Sequence, residues 1–268
     1  MGLRNRELGA EPHRLRSLAI LPARLGSTRL PRKMLLEDSG LPLVVHSARN
    51  AARCADFERV VVATDSAEVL AACEEHQVEC LMTREDHTSG TDRVQEALDE
   101  ICANSKEAFD VVVNVQGDEP DVDTQDLARL CQAFADRDVQ VATLSTPIRS
   151  DADWSNPSVV KVVCDQNGDA LYFSRTPIPS AAHARAGCED PRSVARRHLG
   201  VYAFRPAALR RFCALERGRL ENIENLEQLR WLEAGERLRV LPAEHAPLGV
   251  DTPEDYRAFV ARATPEPC

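Results

Sequence analysis

The chain has no apolar stretch approaching the ~20 residues that a membrane-spanning helix requires, and it has no surplus of positive charge. Its 33 Lys+Arg stand against 43 Asp+Glu, a formal net charge of -10. Nucleic acids and anionic lipid surfaces call for an extended basic face, so neither is expected as a partner. Residues 1–16 lack the apolar segment of a secretory signal and read as a flexible extension, and 264–268 as a short tail. The nine cysteines are scattered and include no Cys-x-x-Cys pair. That pattern disfavours a zinc site or a disulfide framework and fits reduced thiols in a cytoplasmic protein. No internal repeat stands out.

What is present is enough to build a sizeable core, with 43% hydrophobic and 28% charged residues in 268. Short apolar runs at Leu18–Leu21, Val60–Thr64, Glu79–Met82, Val111–Val115 and Val141–Leu144 read as strands. Between them, Pro42–Ala55, Ala67–His76, Asp92–Asn104 and Thr124–Ala135 repeat apolar residues at helical spacing. Val60-Val61-Val62 and Val111-Val112-Val113 are continuous rather than alternating, as strands covered on both faces are. Alternation of this kind predicts an α/β fold with a parallel, doubly wound sheet, its ligands bound beyond the carboxyl ends of the strands.

After about residue 155 the pattern changes. A hairpin is predicted at Val159–Cys164 and Ala170–Ser174 around the turn Asp165–Asp169, then a surface loop over Ser180–Arg197. Strands at Leu199–Phe204 and Leu238–Leu241 and helices at Pro206–Leu215 and Ile223–Ala234 follow. Thr252 is placed to cap a last helix with Pro253 at its first position.

The chemistry concentrates at strand ends. Pro22-Ala23-Arg24-Leu25-Gly26-Ser27-Thr28-Arg29-Leu30-Pro31-Arg32-Lys33 puts four cations and no acid directly after the first strand. In an acidic protein, such a basic loop with approachable backbone amides suits a polyphosphate. Asp118 in Gln116-Gly117-Asp118-Glu119-Pro120 would project from another strand end and, with Asp251 in Gly249-Val250-Asp251, could ligate Mg²⁺. Asp118 would equally serve as a turn cap. In Met82–Arg93, Arg84, Ser89 and Gly90 could meet a base edge or phosphate, or Ser89 and Thr91 could simply cap a helix. His198, Glu227 and Gln228 suit a hydroxyl-rich ligand, although on spacing alone a structural His and solvated Glu and Gln are the commoner reading.

Taken together, the stretches Pro22–Lys33, Val61–Asp65, Met82–Arg93, Val113–Pro120, Asn156–Val163, Ala170–Arg175, Arg197–Tyr202, Leu226–Arg230 and Gly249–Asp255 closely resemble the 3-deoxy-manno-octulosonate (Kdo) cytidylyltransferase family. The resemblance implies the reaction CTP + Kdo → CMP-Kdo + diphosphate, dependent on Mg²⁺, in lipopolysaccharide biosynthesis. It also implies a homodimer and a Rossmann-like, mostly parallel sheet flanked by helices, of the nucleotidyltransferase, GT-A-like kind. A single such domain would span 17–263, with a core of about 17–155 and 236–263 and a smaller sugar-binding and dimerisation lobe of about 156–235. By matching motif, Pro22, Ala23, Arg24, Ser27, Lys33, Arg84, Ser89 and Gly90 would bind the nucleotide. Asp118 and Asp251 would hold the metal and, with Arg24 and Lys33, form the catalytic set. Arg29, Gln116, Arg175, His198, Tyr202, Glu227 and Gln228 would meet the sugar. Arg32 stands where the family commonly has Gly, Ser180 where an aromatic is frequent, and Leu248 where a small or polar residue is usual. A cytidylyltransferase for another acidic sugar or a phosphonate is the nearest alternative, and a non-catalytic nucleotide-binding regulator a more distant one.

Overall fold

The computed structural model describes residues 14–105 and 107–263, so most of the expected N-terminal extension and the C-terminal tail lie outside it. β1 (Ser17–Ala23) is buried along its whole length and leads into a basic loop and a 3₁₀ turn at Lys33–Leu35. Then come α1 (Leu43–Ala51), β2 (Phe57–Thr64), α2 (Ala67–Glu75), β3 (Cys80–Met82), α3 (Gly90–Ser105), β4 (Val111–Asn114), α4 (Thr124–Ala133) and β5 (Val141–Pro147). The second half holds α5 (Asp151–Ser155), β6 (Lys161–Cys164), β7 (Ala170–Ser174), α6 (Pro191–Val194), β8 (Ala195–Phe204) and α7 (Pro206–Ala214). It closes with α8 (Arg219–Glu224), α9 (Leu229–Glu233), β9 (Arg239–Pro242) and α10 (Pro253–Ala263).

The described strands form one sheet in the order β3-β2-β1-β4-β8-β5-β9, with β6 pairing β8 and β7 pairing β6. β1 to β4 run parallel, as their β-α rhythm requires. β8 is antiparallel to β4 and β5, and it separates these two parallel strands. Its ten residues are long enough to serve two neighbours on one side: Tyr202–Phe204 pair with β4, and Ala195–Arg197 with β6. The β6–β7 hairpin is thereby carried past the carboxyl end of β4.

Alternate β1 side chains feed opposite layers. Ala19, Leu21 and Ala23 pack with residues of α1 and α4, while Leu18 and Ile20 pack with α3 and α7. The core therefore lies on both faces of the sheet, and the loops leaving β1, β3 and β4 meet at one edge. A smaller cluster of Leu30, Leu43, Val250, Tyr256 and Phe259 fastens α10 against the basic loop. Among the described residues no helix is long and apolar enough to cross a membrane.

The predicted elements recur with their ends shifted by a few residues and with three larger differences. α1 stops at Ala51, four residues early. The helix expected over Ile223–Ala234 is broken into α8 and α9 by Asn225, which adopts a left-handed φ of 52°. The loop expected up to Arg197 ends sooner, because Asp190 caps α6 and β8 begins at Ala195.

Candidate active site

The basic loop and both aspartates converge. Lys33 is buried, and its Nζ donates to Asp118, to Asp251 Oδ1 at 2.8 Å and to the Val250 carbonyl at 3.2 Å. Arg29 donates to the other Asp251 oxygen at 3.0 Å. The two acidic loops are also tied through the backbone, Val250 N donating to Asp118 O at 2.9 Å. Asp251 is held from behind by the start of α10. Asp255 accepts from the backbone N–H of Asp251 at 3.2 Å and of Thr252 at 2.9 Å, and the Thr252 hydroxyl accepts from Asp255 N at 3.2 Å. This reciprocal cap realises the predicted role of Thr252.

Close packing sets the approach of the loops. A Cβ on Gly117 would lie 3.1 Å from the Pro22 carbonyl, and one on Gly90 would lie 3.3 Å from Pro22 Cγ. Arg32, in the position where a Gly is common, has φ 58° and ψ 25°, a left-handed conformation that favours glycine. It holds that conformation while its guanidinium pairs with Glu68 of α2.

Burial alone would lower the Lys33 pKa, but the charges and hydrogen bonds of Asp118 and Asp251 outweigh it and raise the value. Glu119 behind them is pushed up to about 8, first by burial and then by the two aspartates. Its Oε2 has no hydrogen-bond partner. The Asp118–Asp251 pair thus already closes on one cation, an ammonium. A magnesium ion takes one or two carboxylates with substrate oxygens and water, so this donor set fits it. Among the described residues no three His, Cys, Asp or Glu side chains form a self-sufficient metal cage. The ligand set would need oxygens from the substrate.

These groups line a cleft of about 330 Å³ that also takes in Pro22, Ala23, Arg24, Ser27, Ser89 and Gly90. Ser89 caps α3, accepting from Asp92 N at 3.1 Å, and faces the cleft as well, so both readings of it are realised. Arg84 is not part of this wall. It is mostly exposed beside Asp86 and Glu96 and faces an adjoining hollow. Among the wall residues that went unnoticed in the sequence are two charged or titratable ones. His87 is paired with Glu96, and Arg93 is held by Asp65 at 2.5 Å and by Thr83. Only their place inside the Met82–Arg93 stretch pointed to them.

A second cleft of about 640 Å³ shares Arg24 and Gln116 with the first. Arg175, His198, Tyr202, Glu227 and Gln228 all line it, as do Ser158 and Arg197, which sequence reasoning did not single out. Arg29 lies in the first cleft, not here. Arg175 is largely committed to the main chain: Nε donates to Glu224 O at 2.8 Å, Nη1 to Pro157 O at 3.1 Å and Nη2 to Asn225 O at 3.2 Å. Burial lowers the His198 pKa to about 3, so its imidazole is neutral. Its Nε2 lies 3.0 Å from the Thr143 hydroxyl, which can donate to Val201 O at 2.8 Å. With the hydroxyl donating there, Nε2 carries the proton and Nδ1 is left as an acceptor. Burial, with Glu227 nearby, raises Tyr202 well above its ordinary value. Glu227, also raised by burial, accepts from Thr91 at 2.9 Å. Its Oε1, 3.8 Å from Arg230 Nη2, and the Nε2 of Gln228 are buried without hydrogen-bond partners.

A strand-end basic loop, paired carboxylates and an adjoining polar cleft on a mostly parallel sheet define a nucleotidyltransferase-like α/β protein. A cytidylyltransferase family profile matches residues 18–238. A 3-deoxy-manno-octulosonate cytidylyltransferase of Polynucleobacter necessarius is 45% identical over 257 residues, covering 92% of this chain and 96% of its own. One of the same name from Nitratidesulfovibrio vulgaris is 46% identical, covering 90% and 93%. A solved structure of CMP:2-keto-3-deoxy-manno-octonic acid synthetase complexed with CTP superposes with a TM-score of 0.82 at 38% identity, over 92% of this chain and 98% of the other. The chain belongs to the 3-deoxy-manno-octulosonate cytidylyltransferase family. A 4-diphosphocytidyl-2C-methyl-D-erythritol synthase from Anaerococcus prevotii, at 13% identity and a TM-score of 0.60, shares the fold.

Proposed function

We propose that the protein transfers the cytidylyl group of CTP to the anomeric hydroxyl of Kdo, giving CMP-Kdo and diphosphate. The new bond joins the anomeric oxygen to the α-phosphorus, the bond from the α-phosphorus to the bridging oxygen of the diphosphate breaks, and the hydroxyl proton passes to solvent. The observation that carries this reading is the junction of two unlike clefts at Arg24 and Gln116. One is basic with a carboxylate pair, the other rich in neutral donors and acceptors. Family membership supports the choice of substrates.

In this reading Arg24, Ser27 and Lys33 hold the triphosphate, and Arg24 and Lys33 stabilise charge on the departing diphosphate. Pro22, Ala23, Ser89 and Gly90 shape the nucleotide side. Arg29 orients Asp251 through their ion pair. Gln116, His198, Tyr202, Glu227 and Gln228 orient the sugar's hydroxyls, and Arg175 builds the wall by fixing the main chain around it. Asp118 and Asp251 would hold magnesium, which when bound supplies positive charge to the phosphate oxygens. No covalent nucleophile is required.

The test is diphosphate release from CTP, Kdo and Mg²⁺, compared with ATP, GTP and UTP and with a panel of other sugar acids. Release that is selective for CTP and Kdo is expected. Turnover only with another acid would reassign the substrate, and CTP binding without turnover on any acid would favour a regulator. We also assign the enzyme to the cytoplasm and to a homodimer, the latter checked by sedimentation equilibrium.

A further inference from the structure

Resting on that reading, we infer that Arg197 receives the carboxylate of the incoming sugar and so sets the preference for a sugar acid over a neutral sugar.

Three arginines face the second cleft: Arg24, Arg175 and Arg197. Arg175 is occupied by three main-chain carbonyls. Arg24 also faces the first cleft, where the triphosphate is taken to lie. Arg197 is half-buried, and among the described residues its guanidinium makes no hydrogen bond or ion pair. The two groups of the cleft without a hydrogen bond, Gln228 Nε2 and Glu227 Oε1, suit neutral hydroxyls, and a carboxylate there would meet Glu227, already 3.8 Å from Arg230.

Position strengthens the case. β8 holds Arg197 opposite Lys161 of β6 and Thr146 of β5, one residue before His198. Arg197 lines this cleft together with Arg24 and Gln116, the two residues through which the cleft meets the first one and its Asp118. A 2-keto sugar acid carries its carboxylate on the same carbon as the anomeric hydroxyl. Bringing that hydroxyl to the α-phosphorus necessarily brings the carboxylate to this junction, among Asp118, Asp251 and the triphosphate. An uncommitted guanidinium fork is the group that can accept it there, because its paired N–H donors match a carboxylate.

The experiment compares wild type, Arg197→Gln and Arg197→Lys on Kdo and on its neutral C1 methyl ester, with CTP and Mg²⁺. For Arg197→Gln we expect kcat/KM for Kdo to fall about 100-fold, as for loss of one partner of a charge pair, with KM for CTP within about twofold. The acid-to-ester ratio of kcat/KM should fall at least about tenfold, with the lysine variant in between. An unchanged ratio, or an equal loss on CTP, overturns the inference. If the glutamine variant does not fold, the ratio in the lysine variant decides. A wild type inactive on Kdo overturns the cytidylyltransferase reading itself and this inference with it, whereas an active wild type with an unchanged ratio in the variants removes Arg197 alone.

Discussion

Lys33 is the residue on which the site turns, because one buried ammonium bridges two carboxylates from loops more than a hundred residues apart. Removing it leaves Asp118 without a counter-ion and Asp251 with Arg29 alone. Lys33→Ala should lose activity and CTP affinity, and it should lower stability by about 1–2 kcal/mol, less than a fully buried pair because both aspartates are partly exposed. The freed carboxylates should also bind a divalent cation better. Mg²⁺ added without nucleotide should therefore raise the melting temperature of Lys33→Ala more than that of wild type, as scanning calorimetry would read. An equal response would mean that the ammonium does not compete for the metal's position. Next to it, Arg32 sets left-handed strain against an exposed pair with Glu68. Both effects are small and act in opposite directions. Arg32→Gly should leave thermal stability almost unchanged, whereas Arg32→Val, which loses the pair and adds a branched Cβ to the same φ, should lower it.

At the scale of elements, α10 acts on the site through its first turn. Thr252→Ala removes the hydroxyl that accepts from Asp255 N and frees the Asp255 carboxylate that holds Asp251 N. About 1 kcal/mol of stability should be lost. If the cap positions Asp251, the concentration of Mg²⁺ needed for half-maximal activity should rise as well, and an unchanged value would confine the cap to stability. This cap was legible in the sequence because Thr252, Pro253 and Asp255 are local neighbours. So were the strand-end positions of Lys33 and Asp118, which follow from continuous apolar runs and the break after them. The position of β8 was not legible. Its insertion between β4 and β5 depends on pairings across many residues, and its early start at Ala195 depends on the partner strand β6. The break at Asn225 is of the same kind. A twelve-residue apolar period reads as one helix, but the carbonyls of Glu224 and Asn225 are taken by Arg175, fifty residues away. Arg84, Ser89 and Gly90 share one short stretch, and only the fold turns Arg84 into the neighbouring hollow while keeping the other two in the cleft.

For the whole molecule, the clefts bury titratable groups whose protons pull stability in opposite directions with pH. His198 titrates near 6.5 in the unfolded chain and at about 3 when folded. Between those values the unfolded state binds the extra proton, so this histidine destabilises the fold as pH falls below about 6.5, by about 1.4 kcal/mol per pH unit. Burial lowers His46 too, which adds in the same sense. Glu119 works the other way. Its carboxyl stays protonated in the fold up to about 8 but ionises near 4.5 in the unfolded chain. The folded state therefore holds the extra proton across that window, and stability falls as pH rises through it. The opposed slopes of His198 and Glu119 overlap between about pH 5 and 6.5, where these two contributions largely cancel in the wild type. Denaturant unfolding in a chelator, without nucleotide, separates them. Relative to wild type, His198→Asn should gain about 1 kcal/mol on going from pH 7.5 to 5.5, because its fold no longer excludes a proton that the unfolded chain binds. Glu119→Gln should gain in the opposite direction, growing more favourable as pH rises from 5.5 to 7.5. Parallel curves for wild type and His198→Asn would mean that the imidazole is solvated and chargeable in the fold, and the second cleft would then present a cation where the sugar reading needs a neutral acceptor.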